Sequence, residues 1–580
     1  MSGFTVCFSK NSLPETVHCR EKKYFPGCQN SISKSIRSQH YLIDYYSNSK
    51  FQNDKTVTDT GKFIICNEGV ILNLEELLKK YEKADIASLI QVMYLNNPAK
   101  FPDEFRGDFS GFIFEKESGR FYIYTNQIGS KRVFYFHQHD VFIFSSDLGE
   151  ISHLLHEFKF PCKLNTASSL NLLTHGFMPD ENTLIQGVNR LLPGCTLEFS
   201  FEKEIKISNY FHLKHIEKTT DSHEDIIEKM DNLFSQAVKR EFEKDKSYGY
   251  KHVATLSGGL DSRMVVLMAH KLGYKEQLNF TFSQANYLDE QIAKKIAVDH
   301  RHDFLFQSLD GGNYLKNADN CAWLNDGLVL YSGSAHLLHA LQNINFEDYG
   351  LIHTGLVGDA VIGSFLSAPE IVLPSPTDGM YSKRLASKTT ERMKEIVAGY
   401  DSEEIYKFYT RGFLGAMNGN YTIDLYTQSV SPFLDVDFLS YCISIPEKFK
   451  YKQKIYLEWI ANKHPEFARY PWEKTGVSPL KSNNFKKYFD LGYYKRMSLK
   501  FFDKLSGKMK SGMNPFDFWM QQNKSLELYI NTYFNNHIAL LSFNTELQND
   551  CKKLYQEGNS GEKFQVLTLL AAVKLHQCNG

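Results

Sequence analysis

The sequence predicts an α+β region over residues 1–210, followed by an α/β parallel-sheet region over residues 222–580 that closes in a helical part. Three observations predict it. Up to residue 210, short β-branched and aromatic runs alternate with turn residues; from 222, strand-like and helix-like runs alternate; beyond 380, apolar residues recur mostly at three- and four-residue spacing. At 580 residues the chain exceeds one ordinary core, so two or more domains are expected.

The first region reads as the strands "FTVCFS", "KFIICNEGVIL", "FSGFIFEKESGRFYIYTN", "VFYFHQHDVFIFSS" and "CTLEFSFEKEIKI". Two of these runs fold back as hairpins, one turning at Glu117, Ser118 and Gly119, the other from His137 to Asp140. Among them, "NLEELLKKYEKADIASLIQVMYL" carries apolar residues at helical spacing and is expected to form one helix. The polar segment "KHIEKTTDSHED" marks the seam between the regions. There Ser222 opens an amphipathic helix whose first turn is acidic, where it complements the helix dipole. "HVATLS" then reads as a strand, "DSRMVVLMAHKLG" as a helix stopped by Gly273, "LNFTFS" as a strand and "DEQIAKKIAVDH" as a helix. Such alternation argues for parallel strands joined by crossover helices.

With 66 Lys+Arg against 67 Asp+Glu, the net charge of −1 provides no bulk field to recruit nucleic acid or an anionic membrane. The start "MSGFTVCFSK" lacks the layout of a signal peptide, and no apolar run approaches the roughly 20 residues that span a bilayer. The 10 cysteines are scattered without a Cys-x-x-Cys pair or zinc spacing, so a cytoplasmic, reducing location is expected. The 44 Phe and 33 Tyr are read as core packing rather than as base-stacking platforms.

The segment "LSGGLDSRM", residues 256–264, joins a strand-like run to a helical one. In an open α/β sheet that is where a helix aims its N-terminal amides outward, and where ligands bind. Gly258 and Gly259, lacking Cβ atoms, let backbone N–H groups approach phosphate oxygens, and Ser257 and Ser262 add hydroxyl donors. Asp261 would repel a bare phosphate, so its presence implies a Mg²⁺ that bridges it to a polyphosphate. Neither a Walker loop nor a G-x-G-x-x-G segment occurs.

"LSGGLDS" resembles the pyrophosphate loop of the N-type ATP pyrophosphatases. "HTGLVGDAVIGSF", "VSPFLDVDFLSYCISIPEKFK" and "WEKTGVSP" resemble three further segments of the asparagine synthetase superfamily, in that family's order. "FRGDFSGFIFEKESGRFYIYTNQIGSKRVFYF" resembles a pattern of its N-terminal domain. The resemblance implies an Ntn-hydrolase-like α+β sandwich, a glutamine amidotransferase type 2-like domain, over residues 1–210. It implies an α/β parallel-sheet ATP pyrophosphatase domain, adenine nucleotide alpha hydrolase-like, with a helical C-terminal region, over residues 222–580. The activity it implies is ATP-dependent amide formation: a carboxylate attacks the α-phosphate of ATP, pyrophosphate leaves, and an amine displaces AMP. ATP and Mg²⁺ would then meet Leu256, Ser257, Gly258, Gly259, Asp261, Ser262, Ser283 and Gly355, with Asp261 and Asp359 as metal ligands and Lys474 and Asp359 as catalytic residues.

Several positions depart from that pattern. Glutamine-hydrolysing members begin Met-Cys-Gly, whereas this chain has Ser2, whose hydroxyl is far less nucleophilic at neutral pH than a cysteine thiol. "NEGVILN" stands where those members have N-G-E-I-Y-N, with Gly and Glu exchanged. No counterpart of their glutamine-binding arginine occurs near "SQHYLIDYY", and Asp85 stands where a pocket acid is expected. Loss of glutaminase activity is therefore expected. Leu356 replaces the glutamate of asparagine synthetase, and Ala360 replaces the acid after Asp359. These changes resemble β-lactam synthetase, carbapenam synthetase and lasso-peptide cyclases, in which an amine of the activated molecule itself attacks. The expected partners are a small-molecule, sugar or peptide carboxylate and an amine donor, with a homodimer or a biosynthetic partner protein as the assembly, and neither nucleic acid nor membrane. The rival expectations are a glutamine-hydrolysing asparagine synthetase with Ser2 as a slow nucleophile, and a non-catalytic relative that keeps the fold for binding.

Overall fold

A computed structural model describes residues 2–20, 31–482, 497–498 and 512–579. Its first region stacks two six-stranded sheets in which the strand pairs are antiparallel. One runs Asn189–Arg190, Phe134–Gln138, Val141–Ser145, Gly3–Ser9, Tyr41–Asn48, Ser31–Arg37; the other runs Lys203–Asn209, Cys195–Ser200, Arg120–Thr125, Gly107–Glu115, Phe63–Ile71, Thr56–Asp59. Phe4, Val6 and Phe8 pack between the sheets against Ile64, Phe112 and Phe121. Gly3–Ser9 is buried along its whole length, because Cys7 on its other face packs under the helices Leu148–Glu157 and Thr166–His175. A strand covered on both faces reads as a continuous apolar run, as "FTVCFS" does.

The strands Ser31–Arg37 and Tyr41–Asn48 are absent from the sequence reading, since "SISKSIR" is largely exposed at the sheet edge and shows no apolar run. The single helix expected over "NLEELLKKYEKADIASLIQVMYL" is two helices, Leu74–Lys80 and Ile86–Asn96. Glu82 adopts a left-handed φ of 53°, and the Asp85 carboxylate accepts the Ser88 N–H at 2.9 Å as an N-cap. An acid that bonds local backbone N–H groups favours a helix start over a helix interior. Asp85 is thus an exposed cap and not a pocket acid.

The second region is built on a five-stranded parallel sheet, ordered Asp303–Ser308, Gln277–Ser283, Lys251–Thr255, Tyr349–His353, Ser429–Val430. Its first strand in sequence lies in the middle, so the winding reverses between Lys251–Thr255 and Tyr349–His353. That reversal is a topological switch point, where such sheets open a crevice at the carboxyl ends of their strands. The expected helices are present as His223–Ser247, Asp261–Lys271 and Leu288–His300; the Ser222 hydroxyl caps the first by accepting the Asp225 N–H, and Gly273 ends the second with φ 104°.

Helices dominate after residue 380, and the last, Ser560–His576, is buried over most of its length. Phe564, Leu567 and Leu570 share a core with Leu154 and Leu172 of the first region, so the two ends of the chain pack together. Ion pairs also join the two regions: the buried Lys244–Asp54 at 2.7 Å and the partly buried Lys131–Asp424 at 2.8 Å. Among the described residues no helix is long and apolar enough to cross a membrane.

Candidate active site

The loop 256–260 leaves strand Lys251–Thr255 at the switch point and enters helix Asp261–Lys271. Its serines organise it from within: the Ser262 hydroxyl accepts the Ser257 N–H at 3.0 Å, and the Ser257 hydroxyl accepts the Gly259 N–H at 3.1 Å. Gly258 donates its N–H to Asp289 Oδ1 at 2.7 Å, and its carbonyl accepts from Arg263 and from the Glu473 N–H, each at 3.1 Å. The buried Arg263 guanidinium also donates to the carbonyls of Tyr470 and Pro471, at 3.1 and 2.6 Å. One guanidinium therefore straps the glycine loop to the segment that carries Lys474.

Asp261 and Asp359 follow adjacent strands across the switch point. Asp359 donates its N–H to Asp261 Oδ2 at 3.0 Å, and the Tyr456 hydroxyl donates to Oδ1 at 2.9 Å. Two glycines permit that approach, because a Cβ on Gly355 would lie 2.4 Å from the Ser262 nitrogen and one on Gly358 would lie 2.8 Å from Asp261 Cγ. Between them Val357 is held at φ 63°, a strained conformation for a β-branched residue of the kind that clusters at functional sites. Burial raises the Asp261 carboxyl to about 7, and the Asp359 charge adds to the rise. Lys474 acts on Asp261 in the opposite sense, so the fold brings that lysine within electrostatic range. Its ammonium donates to Gln453 Oε1 at 3.4 Å and lies 5.2 Å from the centre of the Trp472 ring.

A cavity of about 550 Å³ opens beside this cluster. Ser257, Gly259, Asp261, Ser262 and Gly355 line it, as does Leu356, with Phe282, Leu337 and Ile423 forming an apolar wall. Three expected nucleotide residues lie elsewhere. Leu256 is 1% exposed and belongs to the core beneath the loop. Gly258 packs against Glu473, where a Cβ would come within 2.8 Å of the Glu473 Cβ. Successive side chains on a strand face opposite ways, so Phe282 meets the cavity while the Ser283 hydroxyl donates to the Gln284 carbonyl at 2.9 Å. Sequence reasoning missed Arg263, Tyr456 and Asp289, as well as His336, which also lines the cavity. Arg263 left a signal, a charge flanked by "MVVLMA" in a helix that proves buried, and the others left none because only tertiary packing brings them here.

In the first region, Ser2 Oγ accepts the Asn48 N–H at 3.3 Å. Asn48 Oδ1 accepts Lys55 Nζ at 2.9 Å, and Lys55 lies 3.9 Å from the Glu68 carboxylate. Glu68 is buried and also accepts from the Tyr45 hydroxyl at 2.6 Å and from the Ser47 hydroxyl at 3.0 Å. The acid of "NEGVILN" is thus bonded to the protein's own groups. Its neighbour must be glycine: Gly69 has φ 124°, and a Cβ there would meet the Asp108 carbonyl oxygen at 2.0 Å.

Residues 49–211 match the glutamine amidotransferase domain family. The chain is 27% identical over 320 residues to a putative asparagine synthetase [glutamine-hydrolyzing] 2 of Methanocaldococcus jannaschii, a match covering 53% of this chain and 60% of that protein. It is 24% identical over 216 residues to asparagine synthetase [glutamine-hydrolyzing] 3 of Bacillus subtilis, covering 36% of this chain and 34% of that protein. The chain thus spans between a third and three-fifths of the length of these relatives. Among solved structures, glutamine phosphoribosylpyrophosphate amidotransferase from B. subtilis overlaps 71% of this chain and 87% of its own, at 8% identity and a TM-score of 0.22.

Proposed function

We propose that this protein is an ATP-dependent, amide-forming synthetase: it joins a carboxylate to the α-phosphate of ATP, releases pyrophosphate, and passes the acyl group to an amine with release of AMP. The observation that carries this reading is the meeting of Asp261 and Asp359 beside the glycine loop, at the switch point of a parallel sheet. Similarity to proteins named asparagine synthetase supports a ligase that forms carbon–nitrogen bonds.

The residues fit ATP and Mg²⁺ in most respects. A cavity of about 550 Å³ lies within the usual size of a ligand site. A Cβ on Gly259 would meet nothing nearer than the Ser257 hydroxyl at 3.2 Å, so that side of the loop is open to a ligand. Asp261 and Asp359 supply the hard oxygen donors that Mg²⁺ takes, and each Asp261 oxygen keeps lone-pair capacity beyond its single hydrogen bond. Two features fit less well: the Gly258 N–H points to Asp289 and not into the cavity, and the Gly259 N–H is donated to the Ser257 hydroxyl. When bound, the ion would neutralise charge on the leaving pyrophosphate. The chain's own part is to orient the polyphosphate with the Ser257 and Ser262 hydroxyls, and the Gly259 amide joins them only by giving up its bond to Ser257. Lys474 places a cation where negative charge develops at the reacting carboxyl and phosphate.

The relatives' names favour a second reading, glutamine-hydrolysing asparagine synthesis. Leu356 lines the cavity where aspartate plus ammonia chemistry would want an acid, and Glu68 is already bonded to Tyr45, Ser47 and Lys55; both observations support the first reading over the second. The substrate is proposed to be a specialised carboxylate of small-molecule, sugar or peptide type. A substrate-dependent ATP–pyrophosphate exchange screen over amino acids, uronic acids and peptides tests the proposal, followed by chromatography of the nucleotide products. AMP and pyrophosphate are expected; ADP and phosphate would overturn it.

A further inference from the structure

We propose that Asp245, His252 and His353 bind one divalent transition-metal ion of the zinc class, at a site separate from the nucleotide cavity. One ligand atom from each lies within 4.8 Å of the others, and all three residues are buried. His252 Nδ1 is 3.0 Å and His353 Nε2 is 2.8 Å from the same oxygen, Asp245 Oδ2. The other carboxylate oxygen, Oδ1, accepts the Leu351 N–H at 2.7 Å, which orients Oδ2 toward the imidazoles. The ligands come from three rigid elements: the helix His223–Ser247, the strand Lys251–Thr255 and the strand Tyr349–His353. A site carried by helices and strands holds its geometry better than one on loops.

A second observation points to a metal. Glu241 Oε2 lies 3.3 Å from His353 Nδ1, the nitrogen that faces away from the cluster. An imidazole that presents one nitrogen to a metal characteristically donates the other N–H to a carboxylate, which fixes its tautomer and raises its basicity. The Phe242 ring stacks on His353 with centroids 3.7 Å apart and planes 15° from parallel, which fixes the imidazole plane. Two imidazoles and one carboxylate suit zinc and its neighbours, whereas Mg²⁺ and Ca²⁺ take oxygen ligands. The present spacings are hydrogen-bond lengths. An ion with bonds of about 2.0–2.2 Å would part each imidazole nitrogen from Asp245 Oδ2 by a few tenths of an ångström, and a fourth ligand would complete the tetrahedron. The ion would pin the long helix to two central strands, directly before Gly355. Protons alone can also close this cluster, with His353 donating to both carboxylates, and the experiment separates the two arrangements.

The full chain, stripped with a chelator, is titrated with Zn²⁺ alone and separately with Co²⁺, whose visible absorption reports a tetrahedral nitrogen–oxygen site. One tight ion per chain is expected. Glu241→Gln should weaken binding by about 10–100-fold, the effect of losing an outer-shell carboxylate. His252→Gln should abolish the tight site, while Asp261→Asn should leave it intact. Absence of stoichiometric Zn²⁺ binding, or equal binding by His252→Gln, would show that protons close the cluster and would overturn the proposal. Should His252→Gln fail to fold, the Co²⁺ spectrum and the Glu241→Gln affinity decide alone.

Discussion

Asp359 donates its backbone N–H to the Asp261 carboxylate at 3.0 Å, although 98 residues separate the two. The contact places a second acid against the first turn of the helix that follows the glycine loop. If the pair holds a divalent cation, Asp261→Asn should reduce turnover by roughly a hundredfold or more, the scale of a lost transition-state contact. The amide oxygen can still accept from Tyr456 or Asp359, so the thermal midpoint should change little. Steady-state pyrophosphate release and a melting curve on the same preparation check both halves; full activity in Asp261→Asn would show that Asp261 holds no metal needed for turnover.

The two loop glycines should respond differently to an added methyl. Gly258→Ala forces a Cβ to 2.8 Å from Glu473 Cβ and should destabilise the protein by about 1–3 kcal/mol, the range for overpacking. Gly259→Ala adds its methyl on the cavity side and should raise the Kd for ATP without moving the unfolding midpoint. Calorimetry of binding and of unfolding separates them, and a reversed pattern would mean the ligand approaches from the other side.

Lys474→Ala should keep most ATP affinity and lower kcat by roughly a hundredfold, because the proposed contact strengthens only as charge develops. Retention of kcat would assign the role to another cation.

Glutamine should not be hydrolysed above background. Glu68 is bonded to Tyr45 and Ser47 and lies beside Lys55, which leaves a glutamine ammonium to compete with three existing partners. An enzyme-coupled glutamate assay checks this, and robust release abolished by Ser2→Ala would refute it.

Acid stability should reflect buried imidazoles. Burial lowers His175, His336 and His576 from 6.5 to about 4 each. Between those values the unfolded chain binds more protons than the folded one, so stability is present above pH 6.5 and is lost as pH falls toward 4. His175→Gln should flatten the slope of thermal midpoint against pH in that window; an unchanged slope would show that His175 does not contribute.

Local features were legible in the sequence because local forces set them. Ser222 caps a helix, Gly273 ends one, and His139 carries the left-handed turn of the second hairpin at φ 52°, each through the conformation of its own few residues. The break at Asp85 has an equally local cause, but apolar periodicity on both sides of it outweighs the signal of one capping acid. Edge strands such as Ser31–Arg37 were missed because one covered face leaves too few apolar positions to count.

By itself the sequence determined the make-up of the loop: two glycines, two serines whose hydroxyls organise it, and an acid at the start of the following helix. Only the tertiary structure decided which distant groups meet that loop. Strand order puts Asp359 against Asp261, and Arg263 ties the Lys474 segment to Gly258; strand alternation turns Phe282, not Ser283, toward the cavity. Periodicity and backbone preference act over a few residues, whereas these contacts depend on how five strands are ordered and on what packs behind them.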